Sequence, residues 1–129
     1  MNHWVTITEG SLFEKIGGEE TMTAAVEIFY CRVLSDYTIC HFFDDTNMER
    51  QRSKQRAFLT MVCGGPGNYT GMNLRIAHAP MVERGLSEKH FIAVAAHLKA
   101  ALQELGVAEG LIDQVMAIVD SYHDDVLNL

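Results

Sequence analysis

Apolar residues in this chain recur at intervals of three and four, and glycines separate one such run from the next. Between Gly18 and Asp36 the residues Val26, Phe29, Tyr30, Val33 and Leu34 fall at i, i+3, i+4, i+7 and i+8, the stripe of an amphipathic helix. From Ser87, an N-cap, the residues Phe91, Val94, Ala95, Leu98, Ala101, Leu102 and Leu105 repeat the pattern until Gly106 stops it. Leu111, Ile112, Val115, Met116, Val119, Tyr122 and Val126 carry the same spacing to near the C-terminus. No stretch alternates apolar and polar residues with period two between turn signals, so the chain is predicted to be all-α. The prolines, Pro66 and Pro80, and the glycines at Gly17-Gly18, Gly64-Gly65, Gly67, Gly85 and Gly106 are expected at the breaks between helices.

A chain of 129 residues is one domain at roughly 100 to 200 residues per domain. With 48% hydrophobic and 21% charged residues it is neither disordered nor fibrous. Its formal charge of −7 repels phosphate backbones and anionic lipid, which argues against a nucleic-acid partner. No apolar run reaches the roughly 18 residues of a membrane span, so no membrane insertion is expected. Cys31, Cys40 and Cys63 form no CxxC pair, and Met1 to Gly10 lack the cationic start and long apolar stretch of an export signal. The expected setting is the reducing cytoplasm.

The segment from Asn47 to Cys63 breaks the plain pattern. Its stripe is Met48, Phe58, Leu59 and Val62, and seven residues before Phe58 and Val62 stand Gln51 and Gln55. A buried carboxamide without a partner costs about 1 to 3 kcal/mol, so a simple core would not place two of them one turn apart on its apolar face. Tyr30 lies on the inner stripe of its own helix. Either the three satisfy one another, or they converge on something polar inside.

Of the six histidines, His3, His41, His78, His90, His97 and His123, none falls in a zinc-binding spacing. His90 and His97 flank an apolar stripe, as partly solvated helix residues do. His78 is surrounded by Leu74, Met81 and Val82 at i−4, i+3 and i+4 on a short helix before Gly85, so it points into the core. His123 also lies on an inner stripe and is a second candidate ligand. A cavity with one imidazole, a polar trio, Phe42 and Phe43 and many aliphatic side chains suits haem.

The segments LFEKIGG (Leu12 to Gly18), FYCRVL (Phe29 to Leu34), HFFDDTNM (His41 to Met48), QRSKQRAFL (Gln51 to Leu59), GGPGNYTG (Gly64 to Gly71) and AHAPM (Ala77 to Met81) stand in the order of a known family. The chain resembles a truncated haemoglobin of the first group over about residues 12 to 128. The resemblance implies a truncated globin domain over 12–129 behind an N-terminal extension of residues 1–11, folded as a two-over-two helical sandwich around haem b. It implies His78 as the proximal iron ligand, Phe43 on the haem face, and Tyr30, Gln51 and Gln55 as the distal residues that carry the chemistry. At Lys54 relatives differ: in some a His or Lys ligates the iron, in others a basic residue pairs with a haem propionate. Where some relatives gate a ligand tunnel with a bulky Phe, this chain has Leu59. Cyanobacterial relatives have a histidine before a DVLN ending that can bond to a haem vinyl group; His123 precedes DVLN by one residue fewer.

The function so implied is reversible binding of O2, NO and CO at a His-ligated iron in a cytoplasmic monomer. Donors at Tyr30, Gln51 and Gln55 would hold bound O2. Its reaction with nitric oxide to nitrate would need an external electron donor or reductase. A gas sensor or carrier without turnover uses the same pocket, and a haem-free helical interaction module is the rival if the inward polar groups merely pair.

Overall fold

The computed structural model describes residues 10–65 and 71–129, and among them no strand occurs. The helices are α1 (Leu12–Ile16), α2 (Gly18–Leu34), α3 (Met48–Val62), α4 (Gly71–Glu83), α5 (Glu88–Glu104), α6 (Glu109–Asp120) and α7 (His123–Leu127), with a 3-10 turn at Cys40–Phe43 between α2 and α3. Helices α2 and α3 form one pair and α5 and α6 the other. The pairs cross with α2 on α5 and α3 on α6, a two-over-two sandwich.

Local chemistry sets the helix ends. The Ser11 hydroxyl accepts from Glu14 N at 3.2 Å to start α1, and the Asn47 side chain accepts from Arg50 N at 3.1 Å to start α3. Between α1 and α2 the chain turns at Gly17 with φ +121°, where a Cβ would stand 2.0 Å from Thr21 Oγ1, so only glycine fits. Before α5, Ser87 N donates to His90 Nδ1 at 3.0 Å, the reciprocal half of a capping box.

The stripes read from the sequence face inward: Val26, Phe29, Tyr30, Val33, Leu98, Leu102, Ile112, Val115 and Val119 are all buried. Leu34 departs from this. It is the last residue of α2 and stands 40% exposed where the chain turns away into Ser35.

Two breaks fall elsewhere than expected. Pro80 lies inside α4, and its missing N–H orphans a carbonyl on the side of Ile76, which faces solvent. The last run is not one helix. Ser121 N reaches both Ala117 O and Ile118 O, Tyr122 N reaches Val119 O, and the Ser121 hydroxyl donates to Ile118 O at 2.5 Å. This local competition tightens the backbone and divides α6 from α7.

Helix α4 rests on α7. Arg75 ties them, with Nε 2.7 Å from Asp125 Oδ1 and Nη2 2.7 Å from the Leu129 carbonyl oxygen, and Asn128 Nδ2 donates back to Arg75 O at 3.2 Å. Cys31, Cys40 and Cys63 are all unpaired. No helix among the described residues is long and apolar enough to cross a membrane. Residues 1–9 and 66–70, with His3 and much of the GGPGNYTG segment, lie outside the described residues.

Candidate cofactor cavity

A cavity of about 110 Å³ lies between the helix pairs. Its wall is mostly apolar with a few polar groups set into it, the make-up of a cofactor site. Tyr30, Phe43, Gln51, Gln55 and His78 all line it.

On the side made by α2 and α3, Tyr30 is 1% exposed and held edge-on by Phe29 and Phe43, with ring centroids 4.8 and 5.8 Å away. Gln51 Nε2 donates to its hydroxyl oxygen at 3.1 Å. The 3.6-residue repeat of α3 puts Gln55 one turn along on the same face, above Phe58, which lines the cavity with it. Leu59 is buried but does not line the cavity.

On the α4 side, His78 Nδ1 stands 2.8 Å from Leu74 O, one turn back. A carbonyl only accepts, so Nδ1 donates and the lone pair of the neutral ring sits on Nε2. Burial holds the imidazole below its usual pKa, against the weaker upward pull of the Leu74 carbonyl. A neutral ring with a fixed tautomer and an unprotonated Nε2 is what a metal requires of histidine.

His90 was not expected here. The structure buries it to 8% exposure on the cavity wall, edge-on to Phe42 at 5.1 Å, and lowers its pKa through burial and then through Lys89 and His41. The signal lay in the Ser87 N-cap: a residue three positions into the helix can turn back to cap it, and that turn draws the ring inward. His90 Nδ1 accepts from Ser87 N, so its neutral tautomer carries the proton on Nε2, the reverse of His78. Tyr122, read from the sequence only as core, lines the cavity edge-on to Phe58 at 5.5 Å.

His123 does not line the cavity. Both its ring nitrogens face carboxylates, Nδ1 with Asp124 Oδ1 at 2.8 Å and Nε2 with Glu88 Oε2, and these raise its pKa. Its inner stripe ends at the break between α6 and α7, which swings the ring outward past Phe91. His97 pairs with Asp36 at 2.7 Å, and the Thr38 hydroxyl with His97 brings the Asp36 carboxyl down to about 2. Lys54 stands on the exposed side of α3 and is not part of the cavity wall.

Among the described residues no group of three or more His, Cys, Asp or Glu side chains is placed to hold a metal ion. With His90 Nδ1 taken by Ser87 N, His78 offers the one open ring nitrogen of the two imidazoles on the wall, and one nitrogen alone does not make a metal site, so His78 suits a metal that brings its other ligands with it. The apolar wall, the flanking aromatic rings and the one unprotonated Nε2, that of His78, fit a planar iron macrocycle, and the tyrosine–glutamine group supplies hydrogen-bond donors.

A family model described as bacterial-like globin matches residues 11–128. The group 1 truncated hemoglobin GlbN of Synechocystis is 47% identical over 121 residues, 92% of this chain and 98% of that protein. The group 1 truncated hemoglobin of Tetrahymena pyriformis is 41% identical over 117 residues, 91% of this chain and 94% of that one. In structure, the 2/2 hemoglobin of Synechococcus, in the cyanomet state with covalently attached heme, matches with TM-score 0.87 at 43% identity, covering 92% of this chain and 99% of that one. The Fe(III) form of the Tetrahymena pyriformis protein matches with TM-score 0.83 at 41% identity, covering 91% of this chain and 97% of that one. That protein has also been solved with a tyrosine replaced by phenylalanine and with each of two glutamines replaced by glutamate.

Proposed function

The chain belongs to the group 1 truncated haemoglobins, globins that bind haem iron and diatomic gases, and on that premise we propose that it holds haem b through His78 and turns over O2 and nitric oxide. The observation that carries this reading is one cavity with two unlike walls, a neutral imidazole on α4 and a hydroxyl–amide group on α2 and α3. When bound, the group supplies an iron centre that takes a diatomic gas and changes charge by one electron.

This chain's residues do the rest. Leu74 O fixes the His78 tautomer, so Nε2 meets the iron without first losing a proton. Tyr30 is polarised by the Gln51 amide it accepts, and its O–H is the first donor to the gas; Gln51 and Gln55 amides are the second and third. In the Tetrahymena relative the replaced tyrosine and glutamines are spaced by 21 and by 4 residues, as are Tyr30, Gln51 and Gln55 here, which supports the assignment. Phe43 packs the haem face, and Lys54 pairs at the rim with a propionate. The reaction NO + O2 + e⁻ → NO3⁻ consumes one electron, which an external donor or reductase supplies. The protein acts as a monomer in the cytoplasm, a reducing setting that the unpaired thiols at Cys31, Cys40 and Cys63 support.

Haem titrated into the purified protein should give a Soret band. The oxygenated protein mixed with NO should then give one nitrate per haem, and continuous nitrate when a reductant is present. No Soret band overturns the haem reading. A Soret band with gas binding but no nitrate assigns the pocket to a sensor or carrier instead.

A further inference from the structure

Helix α3 carries Arg50, Arg52, Lys54 and Arg56, four of the ten basic side chains of a chain whose net charge is −7. Of the six cations elsewhere, the three arginines are tied down, Arg32 to Glu104, Arg75 to Asp125, and Arg84 to the carbonyls of His41 and Phe42, while Lys15, Lys89 and Lys99 stand singly along the chain. On α3, among the described residues, only Arg52 has such a tie, to Glu27 at 3.2 Å. With Gln51, Gln55, Phe58 and Val62 turned inward, the 100° step of the helix turns Arg50, Ser53, Arg56 and Ala57 outward. Arg50, Ser53, Lys54 and Ala57 are exposed. The acidic groups beside this face are Glu49 in its first turn, Glu27 across on α2, and Asp44 and Asp45 before it.

We propose that the outer face of α3 is the docking surface for an acidic one-electron carrier protein that reduces the haem iron. The inference rests on the haem reading and names the partner of the same site. Gln51 and Gln55 line the cavity from the inner face of this helix, so a protein seated on Arg50 and Arg56 lies about one helix diameter, some 10 Å, from it. In each event the carrier gives up one electron and the ferric iron becomes ferrous. At physiological salt the Debye length is about 8 Å, so an acidic partner senses the charge of the face it approaches rather than the net −7. The acidic remainder of the surface then turns such a partner away from other orientations. An extended polyanion such as a nucleic acid would run off a 15-residue helix onto that acidic surface, whereas a compact carrier would not.

The test uses the haem-loaded protein, oxidised plant-type ferredoxin as the acidic probe for binding, and reduced ferredoxin for reduction of the ferric form. Binding should perturb the backbone amides of α3 in NMR spectra, and both affinity and rate should fall as salt rises. Arg50→Glu with Arg56→Glu should weaken both about tenfold or more at low salt, while Lys99→Glu on α5 changes them less than twofold. Reduction by reduced riboflavin, too small to engage the whole face, should change less than twofold across the variants. Equal effects from Lys99→Glu and the α3 pair, or none from either, overturn the proposal. So does a dimer of this chain that the α3 variants dissociate without loss of ferredoxin binding, since the face would then serve a second copy. If the double reversal lowers expression, Arg50→Gln with Arg56→Gln should show the same order of effects at about threefold. A protein without a Soret band would break the haem reading, and α3 shifts with ferredoxin would still report on the surface.

Discussion

The two walls of the cavity place polar groups in an apolar space by different means. On α4 one side chain does so, and its environment is local: the carbonyl holding His78 comes from Leu74, one turn back on the same helix. On the other side the polar group is assembled from two helices, with Gln51 reaching 21 residues back in sequence to Tyr30, whose ring is wedged by Phe29 and Phe43. The first arrangement can be broken only at one atom, and then wholly. The second spreads its function over three donors, so each loss is partial and the survivors adjust.

His78→Ala should strike hardest, lowering haem affinity by more than about a hundredfold, since even outer-shell partners of a metal ligand are worth 10- to 100-fold. Added imidazole should restore part of the spectrum. Transfer of haem to an acceptor globin measures the loss, and an unchanged transfer rate would remove the proximal assignment. On the shared wall, Tyr30→Phe keeps the ring and deletes one hydroxyl, and should speed O2 release by roughly two- to thirteenfold, the worth of one hydrogen bond of about 0.5 to 1.5 kcal/mol. Gln51→Leu and Gln55→Leu should act likewise, and their pairings with Tyr30→Phe should fall short of the product of single effects. Strict multiplicativity in flash photolysis would show that the donors do not share a ligand.

Lys54→Ala tests the rim between the walls. Haem loss should quicken by about two- to fivefold with the form of the ferric spectrum kept, as for an exposed charge pair. A low-spin six-coordinate spectrum that grows with pH and vanishes in the variant would instead make Lys54 an iron ligand.

The smallest effect contrasts an inner with an outer histidine. The pKa of His78 is lowered in the fold, so below about pH 6.5 the unfolded chain takes a proton that the folded ring refuses, and stability falls with falling pH. The pKa of His123 is raised, chiefly by Asp124 and then Glu88, so its contribution is whole below about pH 6.5 and is lost as pH rises through its folded value. Denaturant unfolding of the haem-free protein across pH 5 to 8 should therefore flatten on the acid side in His78→Gln and on the alkaline side in His123→Gln.

The helical stripes and the inward turn of Tyr30, Gln51, Gln55 and His78 were readable from spacing alone, because a helix repeats every 3.6 residues wherever it lies, and the Ser87 cap from its residue type. The inward burial of His90, the outward turn of His123 and the passage of α4 through Pro80 were not. Each depends on a contact with another segment: Phe42 against His90, Glu88 against His123, and Asp125 with Leu129 against the helix that contains Pro80. Periodicity carries no information about such partners.

Arg75 bears on how the bound group is exchanged. Helix α4 has 13 residues and an internal proline, too short and too interrupted to persist in water unaided, and Arg75 fastens it to the segment from Asp125 to Leu129. The iron ligand thus rides on an element whose order is borrowed. Release or uptake of haem becomes a local unfolding event with its own free energy, below that of the whole domain. Amide protons of α4 should exchange ahead of those of α2 and α5 in the empty protein, and Arg75→Gln should widen that gap, making one surface guanidinium a governor of how long the protein keeps its iron.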